Sequence, residues 1–152
     1  EVIKSVTALS KERTGALIVV ERKNGLQNYI DTGTILDASI HSDLMYSIFQ
    51  TISPLHDGAI IIRNGKILAA GCFLPLSKNI EIDRHFGTRH RAALGISEVS
   101  DAIVLIVSEE TGKIKLCING QFYYSHNEND LRMILKKAWA GKRLDLQSQV
   151  VG

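Results

Sequence analysis

The sequence predicts a mixed β-sheet of five to seven strands flanked by helices, in the α/β (α+β) class. Three observations carry this. Short apolar runs rich in branched residues recur at 16–20, 59–62, 67–74 and 102–107, each bounded by turn residues. Two turn sequences, Arg63-Asn64-Gly65-Lys66 and Glu110-Thr111-Gly112-Lys113, fold a strand back on its neighbour and argue against an all-parallel sheet. Amphipathic spacings at 36–53 and 131–139 supply helices to cover it.

In chain order, Val2, Ile3, Val6 and Leu9 mark an opening helix, which Arg13-Thr14-Gly15 breaks. Ala16 to Val20 follows as a buried strand, and 23–33 is polar and turn-prone. Ile40, Leu44, Ile48 and Ile52 share a face at three-to-four spacing and predict one long helix from Leu36 to Ser53, ended by Pro54. His56-Asp57-Gly58 turns into the strand beginning at Ala59, and the Asn64-Gly65 hairpin returns as Ile67 to Leu74. After a polar segment at 77–87, Thr88 is the expected cap of a helix reaching Val99. Ala102 to Val107, Ile114 to Ile118 and Phe122 to Tyr124 read as strands, and Leu131, Ile134, Leu135, Ala138 and Trp139 as a last helix. One domain over 1–152 is expected, with 1–12 a remnant linker helix, 13–125 the core and 127–140 a C-terminal helix.

The chain has 152 residues, and its 18 Lys+Arg against 16 Asp+Glu leave a net charge of +2. That is too little for indiscriminate nucleic-acid binding, so a basic site must be local. No apolar stretch approaches the roughly 18 residues of a membrane helix. The helical start without an initiator Met suggests a piece of a longer protein. Cys72 and Cys117 sit among apolar residues and read as buried thiols in a reducing compartment. No Walker A loop, dinucleotide-binding glycine fingerprint, Gly-x-Ser-x-Gly elbow or zinc spacing is present. His41 and His126 read as surface or capping residues.

Four segments could carry chemistry. His56-Asp57-Gly58-Ala59 puts an imidazole and a carboxylate on a tight turn, where they could hold a divalent metal, though Asp-Gly turns are also common punctuation. Arg84, His85, Arg89, His90 and Arg91 are five basic side chains within eight residues, running into a helix start at Gly87-Thr88. Basic residues there oppose the helix dipole, which makes sense if a bound polyphosphate supplies the compensating charge; a solvated basic patch is the plainer alternative. Ser108-Glu109-Glu110 lies at the C-terminal end of an apolar strand, where a simple acidic turn would look the same. Phe73-Leu74-Pro75 could stack a base or pack in the core.

In this order, Thr14-Gly15-Ala16-Leu17, Asp57-Gly58-Ala59, Gly87-Thr88-Arg89-His90-Arg91-Ala92-Ala93 and Ser108-Glu109 closely resemble the diadenylate cyclase (DAC) domain. The paired Asp-Gly-Ala and Arg-His-Arg motifs are that family's signature, and the likeness runs from about Arg13 to Tyr124. It is greatest to the membrane-anchored CdaA type, whose catalytic domain follows transmembrane helices at the cytoplasmic face of the membrane. The resemblance implies condensation of two ATP molecules into cyclic di-AMP and two pyrophosphates at the interface of a face-to-face homodimer. It implies a divalent metal, Mn²⁺, Mg²⁺ or Co²⁺, and regulatory protein partners, with no nucleic-acid partner and membrane contact only through the missing helices.

For the residues, the resemblance implies that Asp57 binds metal and orients or deprotonates the ribose 3′-hydroxyl, with His56 and Glu109 as further metal ligands. Gly58 and Ala59 let ribose and phosphates lie on the backbone; Gly87, Thr88 and Arg89 hold the triphosphate; Arg91 steadies the loop or reaches across the dimer; Ser108 contacts phosphate. Asp57, Arg89 and Glu109 are the expected catalytic residues, and Phe73 and Leu74 the adenine platform. Two other readings compete. One is a non-enzymatic sensor of ATP or a cyclic dinucleotide. The other is a nucleic-acid or scaffold domain using Arg84 to Arg91 and the tail Lys136, Lys137, Lys142 and Arg143.

Overall fold

The computed structural model describes residues 1–79, 86–141 and 144. In chain order the elements are α1 (Val2–Lys11), β1 (Ala16–Val20), α2 (Gln27–Ile30), β2 (Thr34–Ser39), α3 (Ser42–Phe49), β3 (Ala59–Arg63), β4 (Lys66–Cys72), α4 (Thr88–Val99), β5 (Ile103–Val107), β6 (Ile114–Ile118), β7 (Gln121–Ser125) and α5 (Glu128–Trp139). The seven strands form one sheet in the order β2-β4-β3-β1-β5-β6-β7. Among the described residues only the β1–β3 pair is parallel, so the sheet is mixed, as the hairpins required.

Successive strand side chains point to opposite faces, and here both faces are covered. Ala16, Ile18, Ile60, Ile62, Ile103 and Leu105 pack with Val6 and Leu9 of α1, Met45, Ile48 and Phe49 of α3, and Leu131 and Ile134 of α5. Leu17, Val19, Ile61, Val104 and Ile106 pack on the other face against Ala92, Ala93, Leu94 and Ile96 of α4. This two-sided burial makes the central strands continuous apolar runs instead of alternating ones. The Asn64-Gly65 and Asn119-Gly120 pairs have φ of 51° and 74°, and 51° and 76°, the left-handed conformation that two-residue hairpin turns need.

Two expectations are corrected. The long helix from Leu36 to Ser53 is a strand followed by a short helix. Residues 34–39 pair with β4 at the sheet edge through a bulge, with Asp37 at φ 48°. α3 starts only at Ser42, where His41 Nδ1 accepts a 3.2 Å hydrogen bond from the Asp43 amide. Ile40, Leu44 and Ile48 do share one core, joined there by Leu36, so their periodicity reported a common buried face and not a common conformation, whereas Ile52, expected on the same face, is 94% exposed beyond the end of α3. α3 also ends at Phe49, ahead of Pro54. The cap of α4 is the second correction: Gly87 occupies that position with extended backbone, Thr88 is the first helical residue, and among the described residues no side-chain cap bond is made to the helix start.

α4 is buried along Ala92 to Ser97: Ala92, Ala93, Leu94 and Ile96 pack on the sheet, and a strap formed by residues 73–79 crosses the helix at Arg91 and Gly95. The Ser77 amide donates a 3.0 Å bond to the Arg91 carbonyl. Gly95 lets the strap approach: a Cβ there would collide with the Pro75 carbonyl oxygen.

Candidate active site

Strand register explains why segments far apart in the chain meet. β5 runs antiparallel to β1 with Ala16 opposite Val107, and β4 antiparallel to β3 with Ala59 opposite Cys72. The N-terminal ends of β1 and β3 and the C-terminal ends of β4 and β5 therefore share one rim of the sheet. At that rim lies a cavity of about 560 Å³, within the range of small-molecule sites. Its walls are the Asp57-Gly58 turn, the strap from Phe73 through Leu76, the first residues of α4 and the Ser108-Glu109-Glu110 turn, over a floor of Leu17 and Ile106.

Nine of the residues expected from the sequence line it: Asp57, Gly58, Phe73, Leu74, Gly87, Thr88, Arg89, Ser108 and Glu109. His56, Ala59 and Arg91 do not. His56 has its Nδ1 2.7 Å from the Ser53 carbonyl. Ala59 is fully buried in the α4-side core. Arg91 holds the strap through its carbonyl. Leu17, Cys72, Leu76, His90, Ala92, Ile106, Val107 and Glu110 also line the cavity; His90 and Glu110 fall in segments singled out as candidates and Leu17 and Ala92 in the quoted motifs, but none of the eight was given a site role of its own. Most are apolar strand-end or helix residues whose type carries no chemical signal, so only the register could have found them. Arg84, His85, Lys142 and Arg143 lie outside the described residues.

Gly58 has φ 109°, and a Cβ on it would come within 2.8 Å of the Cys72 carbonyl oxygen. Glycine at 58 thus serves the close approach of β4 as well as the cavity. Asp57 and Glu109 are both exposed at the rim, and Arg89 Nη1 stands 3.8 Å from Glu109 Oε1. That distance is a charge contact and too long for a hydrogen bond. Phe73 is 64% exposed, which leaves its ring free at the cavity mouth. Burial pushes the Cys72 thiol up to about 11 and the Cys117 thiol to about 12, so neither is a nucleophile.

His90 differs from its neighbours in the basic run. Its ring stacks on Phe86 with centroids 4.6 Å apart and 14° between planes, beside Phe122. Burial, and then the charges of Lys115 and Arg89, push its pKa down to about 4. It is neutral at pH 7, so it adds no positive charge to the site. Because the unfolded chain binds this proton more readily, the stability due to neutral His90 is complete above about 6.5 and is lost as pH falls toward 4. Allowing for solvent screening of a partly exposed ring, the loss should be about 1–2 kcal/mol. His90→Phe should remove that part of the acid limb in melting curves recorded against pH. An unchanged pH profile in the variant would contradict the assignment.

Among the described residues, no three His, Cys, Asp or Glu side chains converge to hold a metal ion. Asp57 and Glu109 nevertheless offer two carboxylates on one cavity, which suits a hard cation that takes its other ligands from phosphate oxygens and water.

Residues 3–122 match the DAC family, described as the DisA bacterial checkpoint controller nucleotide-binding domain. The chain is 43% identical over 147 residues to the cyclic di-AMP synthase CdaA of Bacillus subtilis, covering 97% of this chain and 54% of that protein. It is 48% identical over 134 residues to a diadenylate cyclase of Listeria monocytogenes, covering 88% and 49%. The chain therefore spans about half the length of the curated relatives it matches. Its fold is similar to the crystal structure of a double-mutant DacA from Staphylococcus aureus, with a TM-score of 0.86 at 47% identity, covering 91% of this chain and 92% of that one. A match across residues 3–122 together with that shared fold means that this chain belongs to the DAC family, the diadenylate cyclase domains that its Asp-Gly-Ala and Arg-His-Arg motifs resemble.

Proposed function

We propose that this domain condenses two ATP molecules into cyclic di-AMP with release of two pyrophosphates. The observation that carries this reading is one shared cavity in which Asp57, Arg89, Glu109 and the start of α4 face an apolar floor and strap. Polar groups on one side and apolar groups on the other suit a triphosphate and a base. The names of the relatives from B. subtilis and L. monocytogenes point the same way.

Each ribose 3′-hydroxyl attacks the α-phosphorus of the other nucleotide. A new P–O bond forms in line as the bond to the β-phosphate oxygen breaks, pyrophosphate takes the bonding electrons, and the hydroxyl proton passes to base or water. A cavity of about 560 Å³ takes one ATP, so two half-sites must face each other, most simply across a twofold axis of a homodimer.

Asp57 orients the 3′-hydroxyl and draws off its proton. Thr88, Arg89 and the open amides of α4 hold the phosphates, and Arg89 stabilises charge on the leaving pyrophosphate. Ser108 donates to phosphate, and Phe73 and Leu74 carry the adenine. Asp57 and Glu109 would hold the divalent cation, Mn²⁺, Mg²⁺ or Co²⁺, which neutralises phosphate charge when bound. His56 would join them only through Nε2, because its Nδ1 is held by the Ser53 carbonyl. Arg91 lies outside the cavity and would either steady the loop or reach across to a partner protomer.

Among the described residues no helix is long and apolar enough to cross a membrane. In the full-length protein we place the domain at the cytoplasmic face of a membrane, where ATP is available. A 47% identical Bacillus cereus chain, covering 83% of this one, is described as a hypothetical membrane spanning protein.

Incubation with ATP and Mn²⁺ should yield cyclic di-AMP by chromatography and mass spectrometry, and excess chelator should stop it. ATP binding without product, with each of the three metals and at protein concentrations that enforce pairing, would replace this reading with a nucleotide sensor.

A further inference from the structure

An arginine that must meet a phosphate has to be held, because its free side chain samples many rotamers. Arg89 lies in the first turn of α4 with its side chain 30% exposed, and its charge contact with Glu109 at 3.8 Å is too loose to fix it. What does meet it closely is the backbone of Gly15, the residue just before β1. A Cβ built on Gly15 would stand 2.6 Å from Arg89 Nη1, 2.7 Å from Cζ and 2.9 Å from Nη2. Three guanidinium atoms at nearly equal distance mean that the flat face of the group rests on the glycine. Gly15 is buried, although it lies at the rim of the sheet.

Backbone conformation does not call for glycine here, since Gly15 is absent from the positive-φ glycines that the structure shows. The three nearest atoms that a side chain would meet all belong to Arg89. The register adds a reason for the location. Ala16 pairs with Val107, so Gly15 lies beside Ser108 at the cavity rim.

We propose that Gly15 is a positioning residue: the bare backbone at this point is the seat on which the Arg89 guanidinium lies, facing the phosphates. One methyl group would push the guanidinium about 1 Å away, enough to lose aligned charge-assisted contacts. This rests on the reading that Arg89 binds the triphosphate.

A double-mutant cycle tests it, with ATP dissociation constants in Mn²⁺, initial rates of cyclic di-AMP formation and melting temperatures for Gly15→Ala, Arg89→Ala and the pair. Gly15→Ala should raise the ATP dissociation constant about tenfold and lower the rate by about 10²-fold. In the Arg89→Ala background the same change should alter either quantity by less than about twofold, because the clashing group is gone. If Gly15→Ala also lowers the melting temperature, Arg89→Ala should restore it. Wild-type affinity in Gly15→Ala, full multiplication of the two losses, or a melting penalty equal in both backgrounds would overturn the proposal. Binding and product are read separately. A wild-type chain that binds ATP and makes no cyclic di-AMP would refute the cyclase reading while the affinities still judged the seat.

Discussion

Asp57→Asn should abolish cyclic di-AMP formation, lowering the rate by on the order of 10³-fold, with little change in stability or in ATP affinity. The amide keeps the shape of the carboxylate and loses its charge, its basicity and its grip on a divalent cation. The fold should tolerate this, because Asp57 is exposed at the cavity rim and the Gly58 that shapes the turn is untouched. Product chromatography beside a melting curve and an ATP titration separates the effects. Turnover near wild type would exclude Asp57 as the group acting on the 3′-hydroxyl, whereas a parallel fall in melting temperature would assign it a structural part.

Gly95→Ala should destabilise the protein and weaken ATP binding together. Ordinarily Gly→Ala inside a helix is stabilising by roughly 1 kcal/mol. Here the added Cβ would collide with the Pro75 carbonyl oxygen and stand 2.7 Å from its carbon and 3.0 Å from the Ser77 amide. Those are backbone atoms and cannot rotate aside, so the strap must lift and stretch the bond from the Ser77 amide to the Arg91 carbonyl. Overpacking of this kind costs about 1–3 kcal/mol, enough to exceed the gain in helix propensity. Phe73, Leu74 and Leu76 ride on the same strap and line the cavity, so the base platform should move with it. Urea unfolding and an ATP titration of the variant check both consequences. A variant as stable as wild type would mean that the strap yields freely and is no part of a rigid site.

The central strands were legible because their cause is local. A run such as Ala16 to Val20 or Ile103 to Val107 is too apolar for any place but the middle of a covered sheet, and Asn64-Gly65 supplies the positive φ of a hairpin by itself. The signature motifs were legible for a related reason, since Asp57-Gly58 and Gly87-Thr88-Arg89 each carry unusual chemistry within a few residues. Edge strand β2 was not legible: a chain segment at 34–39 becomes a strand through its hydrogen bonds to β4, some thirty residues later, and its hydrophobic spacing fits a helix equally well.

The order of apolar runs, turns and charged motifs along the chain was sufficient for the sheet, its mixed direction and the family. Which of those motifs touch one another depended on contacts between segments far apart in sequence. Register placed Asp57 and Glu109 on one cavity and left His56 and Arg91 off it. Burial among Phe86, Phe122 and Lys115 decided that His90 carries no charge at pH 7. Two glycines acquired their purpose only when a guanidinium and a strap were found lying on them, because the absence of a side chain says nothing until the group that occupies its space is known.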